Sequence, residues 1–462
     1  MSFLIALGAL FFLMLVAYRG FSVIIFAPVA ALLAVLLTDP ASVLPVYSGL
    51  FMDKMVVFVK LYFPVFLLGA VFGKVIELSG FSKSIVAATI RLVGPTRAVL
   101  SIVLVSNVLT YGGVSLFVVV FAVYPFAAEV FRQGNLPKRL IPGAIALGAF
   151  TFTMDALPGT PQIQNIIPTT FFKTDAYAAP WLGVIGAAFI FLSGMAYLTW
   201  RLRQATRAGE GYGSGHINEP DHVPEEGLAN PVVAILPLIA VGVLNKVFTV
   251  ALPRFYGANL ETSLAGLDHP IVTVAPPIAI WALELALVSG ILLTVLLAFR
   301  PVTSRFAEGT RTAVLGALLA SMNTATEYGF GAVIAALPGF LAIKSALAAI
   351  PNPLVNEAIS VTTLAGITGS ASGGMSIALA ALSGQFIAAA NAAGISPEVL
   401  HRVAAMASGG MDTLPHNGAV ITLLAVTGLT HRQSYKDIFA ITVIKTAAVF
   451  VVIAVYYLTG LV

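Results

Sequence analysis

Met154-Asp155-Ala156-Leu157-Pro158 and Met411-Asp412-Thr413-Leu414-Pro415 are near-copies of one pentapeptide, set in the two halves of a 462-residue chain. Each lies within an apolar run and is followed by further helix breakers: Gly159-Thr160-Pro161 in the first, His416-Asn417-Gly418 in the second. Proline removes a backbone donor and clashes with the preceding turn, so each motif interrupts its helix part-way. Other fragments recur in the same order at a nearly constant offset. Gly73-Lys74-Val75-Ile76 matches Gly331-Ala332-Val333-Ile334, and Gly80-Phe81 matches Gly339-Phe340. Gly112-Gly113-Val114-Ser115 matches Gly373-Gly374-Met375-Ser376, and Gly134 and Pro137 match Gly394 and Pro397. Common residues make any one match weak; their shared order points to an internal repeat.

Around these motifs the chain is 59% hydrophobic and 10% charged. A soluble chain carries roughly 25% charged residues, so these are too few to cover a water-facing surface. Apolar runs of about 20 residues recur throughout, the length a helix needs to cross the hydrocarbon layer; an outer-membrane barrel would show short alternating segments instead. The fold class is an all-α polytopic membrane protein. The net charge of +4 reads as basic loops on one membrane face and not as a nucleic-acid partner. Without cysteine there is no disulfide or thiolate metal site, and no cofactor or metal is expected. Phe3–Ala17 has no basic leader or small-residue cleavage site, so it reads as a retained first span.

Spans are expected near 2–17, 21–38, 55–79, 139–171 (broken) and 179–200, and again near 231–250, 271–299, 312–338, 399–428 (broken) and 435–460. That is about ten crossings of bilayer length. Residues 97–132 and 354–392 each hold two shorter apolar arms joined by small polar residues, the pattern of re-entrant hairpins whose irregular tips need protein or a cavity around them. The division is therefore a first repeat over 1–200, a flexible cytoplasmic connecting loop over 201–228, and a second repeat over 229–462. An odd number of crossings per half makes the repeats inverted, an architecture that places substrate at the repeat interface near the midplane. Most Lys and Arg, including Lys138, Arg139, Arg201 and Arg203, fall on one face; Lys54, Lys60, Lys173, Lys246, Arg254, Lys344 and Arg402 fall on the other. The positive-inside rule then puts the central loop in the cytoplasm and both termini on the periplasmic side of the inner membrane.

Asp155, Glu284, Glu327 and Asp412 are the acidic residues read as lying deep in the membrane, where a charge costs about 2.5–3.5 kcal/mol even on insertion scales. Asp155 and Asp412 stand out because the repeat makes them equivalent. A broken helix exposes the positive end of its second half, which suits a carboxylate. Thr160 and Gln162 in one break, and Thr413, His416 and Asn417 in the other, offer hydroxyl and amide contacts; the plainer role of the two aspartates is capping. The hairpin tips add Asn107, Tyr111, Gly112, Gly113 and Ser115, and Ser370, Ser372, Gly373, Gly374 and Ser376, small polar groups that admit a ligand close to the backbone or simply pack helices tightly. Asp155, Asp412, Glu327 and His416, read as the only histidine at membrane depth, are the proton-coupling candidates, His416 because its ordinary pKa lies near neutrality. An intramembrane aspartyl protease would need Asp155 and Asp412 to share one proton; a channel would need charged rings along a pore.

The stretch Ser408–Thr422, Ser-Gly-Gly-Met-Asp-Thr-Leu-Pro-His-Asn-Gly-Ala-Val-Ile-Thr, with Gly428–Tyr435 after it, resembles the gluconate permease family of the ion-transporter superfamily, and the similarity extends over essentially the whole chain. The resemblance implies proton-coupled uptake of a small hydroxylated carboxylate such as gluconate, glycerate, D-serine or 3-hydroxybutyrate; the carbonyl-rich broken helices suit Na⁺ as the alternative coupling ion. It also implies a homodimer in the lipid bilayer whose transport domain moves as an elevator against a scaffold. Gluconate-type members carry an acidic residue after the first-tip tyrosine, where this chain has Gly112, and a His-Pro-Gly-Pro break, where it has Leu157-Pro158-Gly159-Thr160-Pro161. Those departures favour a smaller, 3-hydroxybutyrate-like monocarboxylate.

Overall fold

The computed structural model describes residues 2–19, 21–94, 97–220, 227–256, 260–262, 271–273, 277–340, 345, 349–415 and 417–462. The protein is a helical multi-pass membrane protein, and seven of its described helices have the length and apolar composition of a membrane crossing. In chain order the helices are α1 (Ser2–Tyr18), α2 (Val23–Thr38), α3 (Met52–Leu78), α4 (Phe81–Val93), α5 (Ala98–Tyr111), α6 (Leu116–Gln133), α7 (Ile141–Ala149), α8 (Ile163–Phe172) and α9 (Pro180–Arg207). The second half contributes α10 (Pro231–Tyr256), α11 (Ile278–Leu297), α12 (Phe306–Ala336), α13 (Pro353–Thr368), α14 (Ala371–Ala392), α15 (Pro397–Gly409), α16 (Gly418–Thr427) and α17 (His431–Thr459).

Element order repeats where the sequence does: α3 with α12, the pair α5–α6 with α13–α14, the interrupted pair α7 and α8 with α15 and α16, and α9 with α17. Packing cuts across these halves. Helices α3 and α12 lie against each other, with α2 on α12, α11 on α3 and α10 on α11. The hairpins, the interrupted helices and the α9–α17 pair form a second group: α5 packs on α7, α13 on α15, α8 on both α14 and α15, and α17 on α7 and α15. The groups meet chiefly where α12 lies along α14. The half-helices α8 and α16 have 10 residues each, about 15 Å at 1.5 Å per residue. That is half the hydrocarbon thickness, so each break falls near mid-membrane.

Several boundaries differ from the sequence reading. The span expected over 271–299 begins as helix only at Ile278; Ile271–Thr273 instead pairs antiparallel with Leu260–Thr262. The Pro276-Pro277 pair blocks backward extension of α11, and the β-branched run before it suits a strand. The span expected from residue 55 belongs to one continuous helical stretch, Pro40–Leu78. Helix α4, too short to cross, was not anticipated; it buries Phe81, Ile85 and Val86. The second hairpin arms are also longer than the short arms expected, 18 and 22 residues in α6 and α14.

The central loop is not free over its described length. Glu219 pairs with Lys138 at 2.6 Å and accepts from the Tyr212 hydroxyl. Glu210 pairs with Arg139 at 2.6 Å. The Tyr124 hydroxyl donates to Asn218 O at 2.9 Å, and Asn218 Nδ2 donates to Ala425 O at 2.8 Å. The strap thus ties the ends of α6, α7 and α16 together. Arg139's hydrogen bonds hold the Glu210 carboxyl below the usual glutamate range. Burial pushes Glu219 the other way, but Lys138 and Tyr212 outweigh it and hold that carboxyl low as well. A carboxyl with a lowered folded pKa stabilises the docked strap above its ordinary pKa and loses that contribution as pH falls through the lowered value. The protection factors of residues 209–220, hydrogen exchange corrected for the intrinsic rate at each pH, are therefore expected to stay high from neutrality to mild acidity and to fall on further acidification.

Candidate functional site

Both breaks are held by the side chain of the residue just before their second half-helix. Gln162, immediately before α8, donates from Nε2 to Thr110 O at 2.7 Å and lies 3.4 Å from Val114 O, so it grips the tip of the first hairpin. Asn417, the N-cap of α16, accepts from Ala419 N through Oδ1 and donates from Nδ2 to Gly369 O at 2.8 Å, gripping the second tip. The Tyr111 hydroxyl adds a bond to Pro158 O at 2.8 Å. Gly113, at φ +95°, makes the first turn in a conformation other residues adopt only with strain. At the second tip, Ser370 caps α14 by accepting from Gly373 N at 3.1 Å.

Asp412 joins the two halves. Its Oδ2 accepts from Gln164 Nε2 at 2.7 Å; its Oδ1 accepts from Ala371 N at 2.9 Å and from Asn417 Nδ2 at 3.3 Å. The carboxylate is 6% exposed and its donors are neutral N–H groups from α8, the hairpin tip and its own break. The N-termini of α8, α14 and α16 therefore meet at one place, with that of α6 linked to them through Gln162. Each carries a partial positive charge. Glu327 reaches this place from α12: its carboxylate lies over Gly373, where a Cβ would overlap it. Thr324 Oγ1 and Ser372 Oγ lie 3.4 Å apart beside it. Glu327 Oε2, Gln164 Oε1 and Thr110 Oγ1 are buried without a hydrogen-bond partner among the described residues.

The first break is built differently. Asp155 Oδ2 is 2.5 Å from Lys445 Nζ on α17, both side chains at most 1% exposed, and Lys445 also donates to Phe150 O at 3.1 Å. Arg402, fully buried on α15, donates to Asp155 O (2.6 Å), Asn165 Oδ1 (3.0 Å) and Ala178 O (2.7 Å), pinning the interrupted backbone. Asp155 and Asp412 thus have separate direct partners.

No family model matches the chain. It is 60% identical to the uncharacterized transporter YxjC of Bacillus subtilis (strain 168) over 472 residues, all of both chains. The chain belongs to that transporter's family. Among solved structures it is similar to the Alcanivorax borkumensis YdaH transporter, at a TM-score of 0.48 and 15% identity over 91% of this chain and 90% of that one.

Within this YxjC family member, the residues singled out from sequence divide cleanly. Gln162, Ser370, Ser372, Gly373, Asp412, Asn417 and Glu327 come together at the second tip and the neighbouring ends. Tyr111 and Gly113 shape the first tip; Asn107 and Ser115 lie beside it, half-buried. Others turn inward. Thr160 Oγ1 donates to Thr153 O, Thr413 Oγ1 to Gly410 O and Ser376 Oγ to Ser372 O. Gly112 faces Leu238 of α10 and Gly374 faces Ala365 of α13, so both serve close packing. Glu284 is half-buried on α11. His416 and Lys344 lie outside the described residues. One reading is corrected, since Arg402 is buried and is no face-flanking charge; His401, not singled out from sequence, is fully buried between Thr174 and Asn165. Sequence reading missed Gln164, Lys445 and Glu357. The last is fully buried on α13 with neither oxygen partnered among the described residues. An isolated Lys in the apolar run Ile441–Val449 was the available signal, since an ionisable residue at membrane depth is a site by default.

Proposed function

We propose that this transporter carries a small hydroxylated monocarboxylate across the inner membrane by proton-coupled symport with alternating access. The observation that carries this reading is the meeting of helix N-termini around Asp412 and the two clamping amides. Positive dipole ends suit a carboxylate, and Gln164 Oε1 and Thr110 Oγ1, unpartnered among the described residues, suit a substrate hydroxyl. Coupling follows from charge. An anion beside both Asp412 and Glu327 is repelled unless a cation accompanies it, which ties the two movements together. Glu327 Oε2 has no N–H donor among the described residues, and a carboxyl so placed can take up a proton as that cation. Gly112 packed on Leu238 and the Thr160 hydroxyl bonded to Thr153 O offer no polar contact to a ligand at the first tip, favouring a 3-hydroxybutyrate-like ligand with one hydroxyl over a sugar acid.

The two packing groups supply the moving parts. Helices α3 and α12 with their neighbours would form the scaffold, and the hairpins with the interrupted helices the elevator. The repeats are inverted in this reading, the central loop is cytoplasmic, both termini are periplasmic and the protein works as a homodimer.

The test is uptake of labelled 3-hydroxybutyrate into proteoliposomes under an inward pH gradient, with and without Na⁺. Accumulation that follows the pH gradient, ignores Na⁺ and is competed less well by gluconate than by glycerate or D-serine is expected. Accumulation that requires Na⁺ would overturn the proton; failure of all four compounds to accumulate or compete would overturn the substrate class.

A further inference from the structure

The two breaks hold equivalent carboxylates, yet they are neutralised by different means. Among the described residues the Asp412 carboxylate accepts hydrogen bonds from neutral N–H donors alone. Asp155 is met by an ammonium, and that ammonium sits between the Asp155 carboxylate and the Phe150 main-chain carbonyl. Carboxylate and freed carbonyl oxygens at a helix break are the donors that hold coupling cations in transporters with interrupted helices. The fit is close: a Cβ at position 409 would overlap both Asp155 Oδ2 and Lys445 Nζ, so Gly409 leaves room for the pair. The counterpart of α17 in the first half is α9, and between Pro180 and Trp200 it carries no Lys or Arg. Among the described residues no Lys or Arg forms an ion pair with Asp412, so the second break holds no tethered cation in contact with its carboxylate.

We infer that Lys445 is a built-in counter-cation, filling the cation place of the first break permanently, so that the exchangeable cation acts only at the Asp412–Glu327 end. This deepens the symport reading and rests on it, since a second cation place matters only in a coupled cycle. A tethered ammonium cannot leave with the substrate, so it holds the first break neutral in every state while the second break alternates. The stoichiometry that follows is a single coupling cation for each substrate turnover.

Purified wild type, Lys445→Gln and the double variant Asp155→Asn/Lys445→Gln separate this from an ordinary structural ion pair. The readout is the thermal midpoint in detergent in NaCl against choline chloride at equal ionic strength, which needs no substrate. Lys445→Gln leaves Asp155 and Phe150 O facing each other without a cation. Its midpoint is expected to fall in choline and to recover by several degrees in Na⁺, beyond any response of wild type, because a bound ion stabilises the folded state by mass action. The double variant, with no charge left to neutralise, is expected to show no such extra response. A single variant indifferent to Na⁺, or one that folds in neither salt, would overturn the inference, as would an equal Na⁺ response in the double variant. Failure of the uptake assay leaves these midpoints untouched, so the two readings fail separately.

Discussion

Asp412→Asn is expected to leave the protein folded and to abolish substrate accumulation, whereas Asp412→Ala is expected to lose both activity and stability. The carboxylate accepts from Gln164 Nε2, Ala371 N and Asn417 Nδ2. Alanine leaves these donors without their acceptor at a 6%-exposed position, and each buried donor left unpaired costs about 1–3 kcal/mol. Asparagine keeps one acceptor oxygen but turns an NH₂ group toward at least one of the donors, so it loses roughly one such term. It also removes the negative charge that holds the ends of α8, α14 and α16 in mutual register. A fall in uptake of about 100-fold, or roughly 2.7 kcal/mol at 1.36 kcal/mol per tenfold, is expected for Asp412→Asn. Size-exclusion profiles after stepwise heating report the stability, and proteoliposome uptake the activity. Wild-type uptake by Asp412→Asn would remove Asp412 from the site.

The parts of this site that sequence made legible are those written in local chemistry. Single prolines such as Pro64 and Pro125 sit inside continuous helices, but the clusters Pro158-Gly159-Thr160-Pro161 and Pro415-His416-Asn417-Gly418 interrupt theirs, and the repeat doubled the signal, so both breaks and both tips were located before any geometry. Asn417 and Gln162 were found because they adjoin those breaks. What stayed hidden depends on partners far away in the chain. Lys445 is one lysine in a long apolar helix, and its meaning lies in Asp155, which packing brings to 2.5 Å. Arg402 reads as a flanking charge near the start of its helix until the carbonyls of Asp155 and Ala178 fold onto it. The docked strap is equally silent in sequence: its glycines suggest mobility, and only scattered single contacts such as Glu219 with Lys138 hold it. Helix α4 escaped because a short helix that does not cross gives no bilayer-length signal.

Gly373→Ala tests where coupling and packing part company. Position 373 is on the hairpin group and Glu327 on α12 of the other group, so the added methyl would press a carboxylate between them. Overpacking of this kind costs about 1–3 kcal/mol, and the strain falls on the surface along which one group would slide past the other in the proposed elevator cycle. Gly373→Ala is accordingly expected to lower the thermal midpoint and to slow exchange of labelled for unlabelled substrate at equal pH on both sides. Adding Glu327→Ala removes the obstacle, so the double variant is expected to regain the midpoint and most of the exchange. It is not expected to regain accumulation against a gradient, because the group that would carry the proton has gone with the obstacle. Glu327→Gln, which keeps the shape without an ionisable oxygen, is expected to behave likewise: exchange preserved, pH-driven accumulation lost. If Glu327→Gln still accumulates substrate under a pH gradient, the carboxylate over Gly373 only packs, and the coupling proton must reside on Asp412.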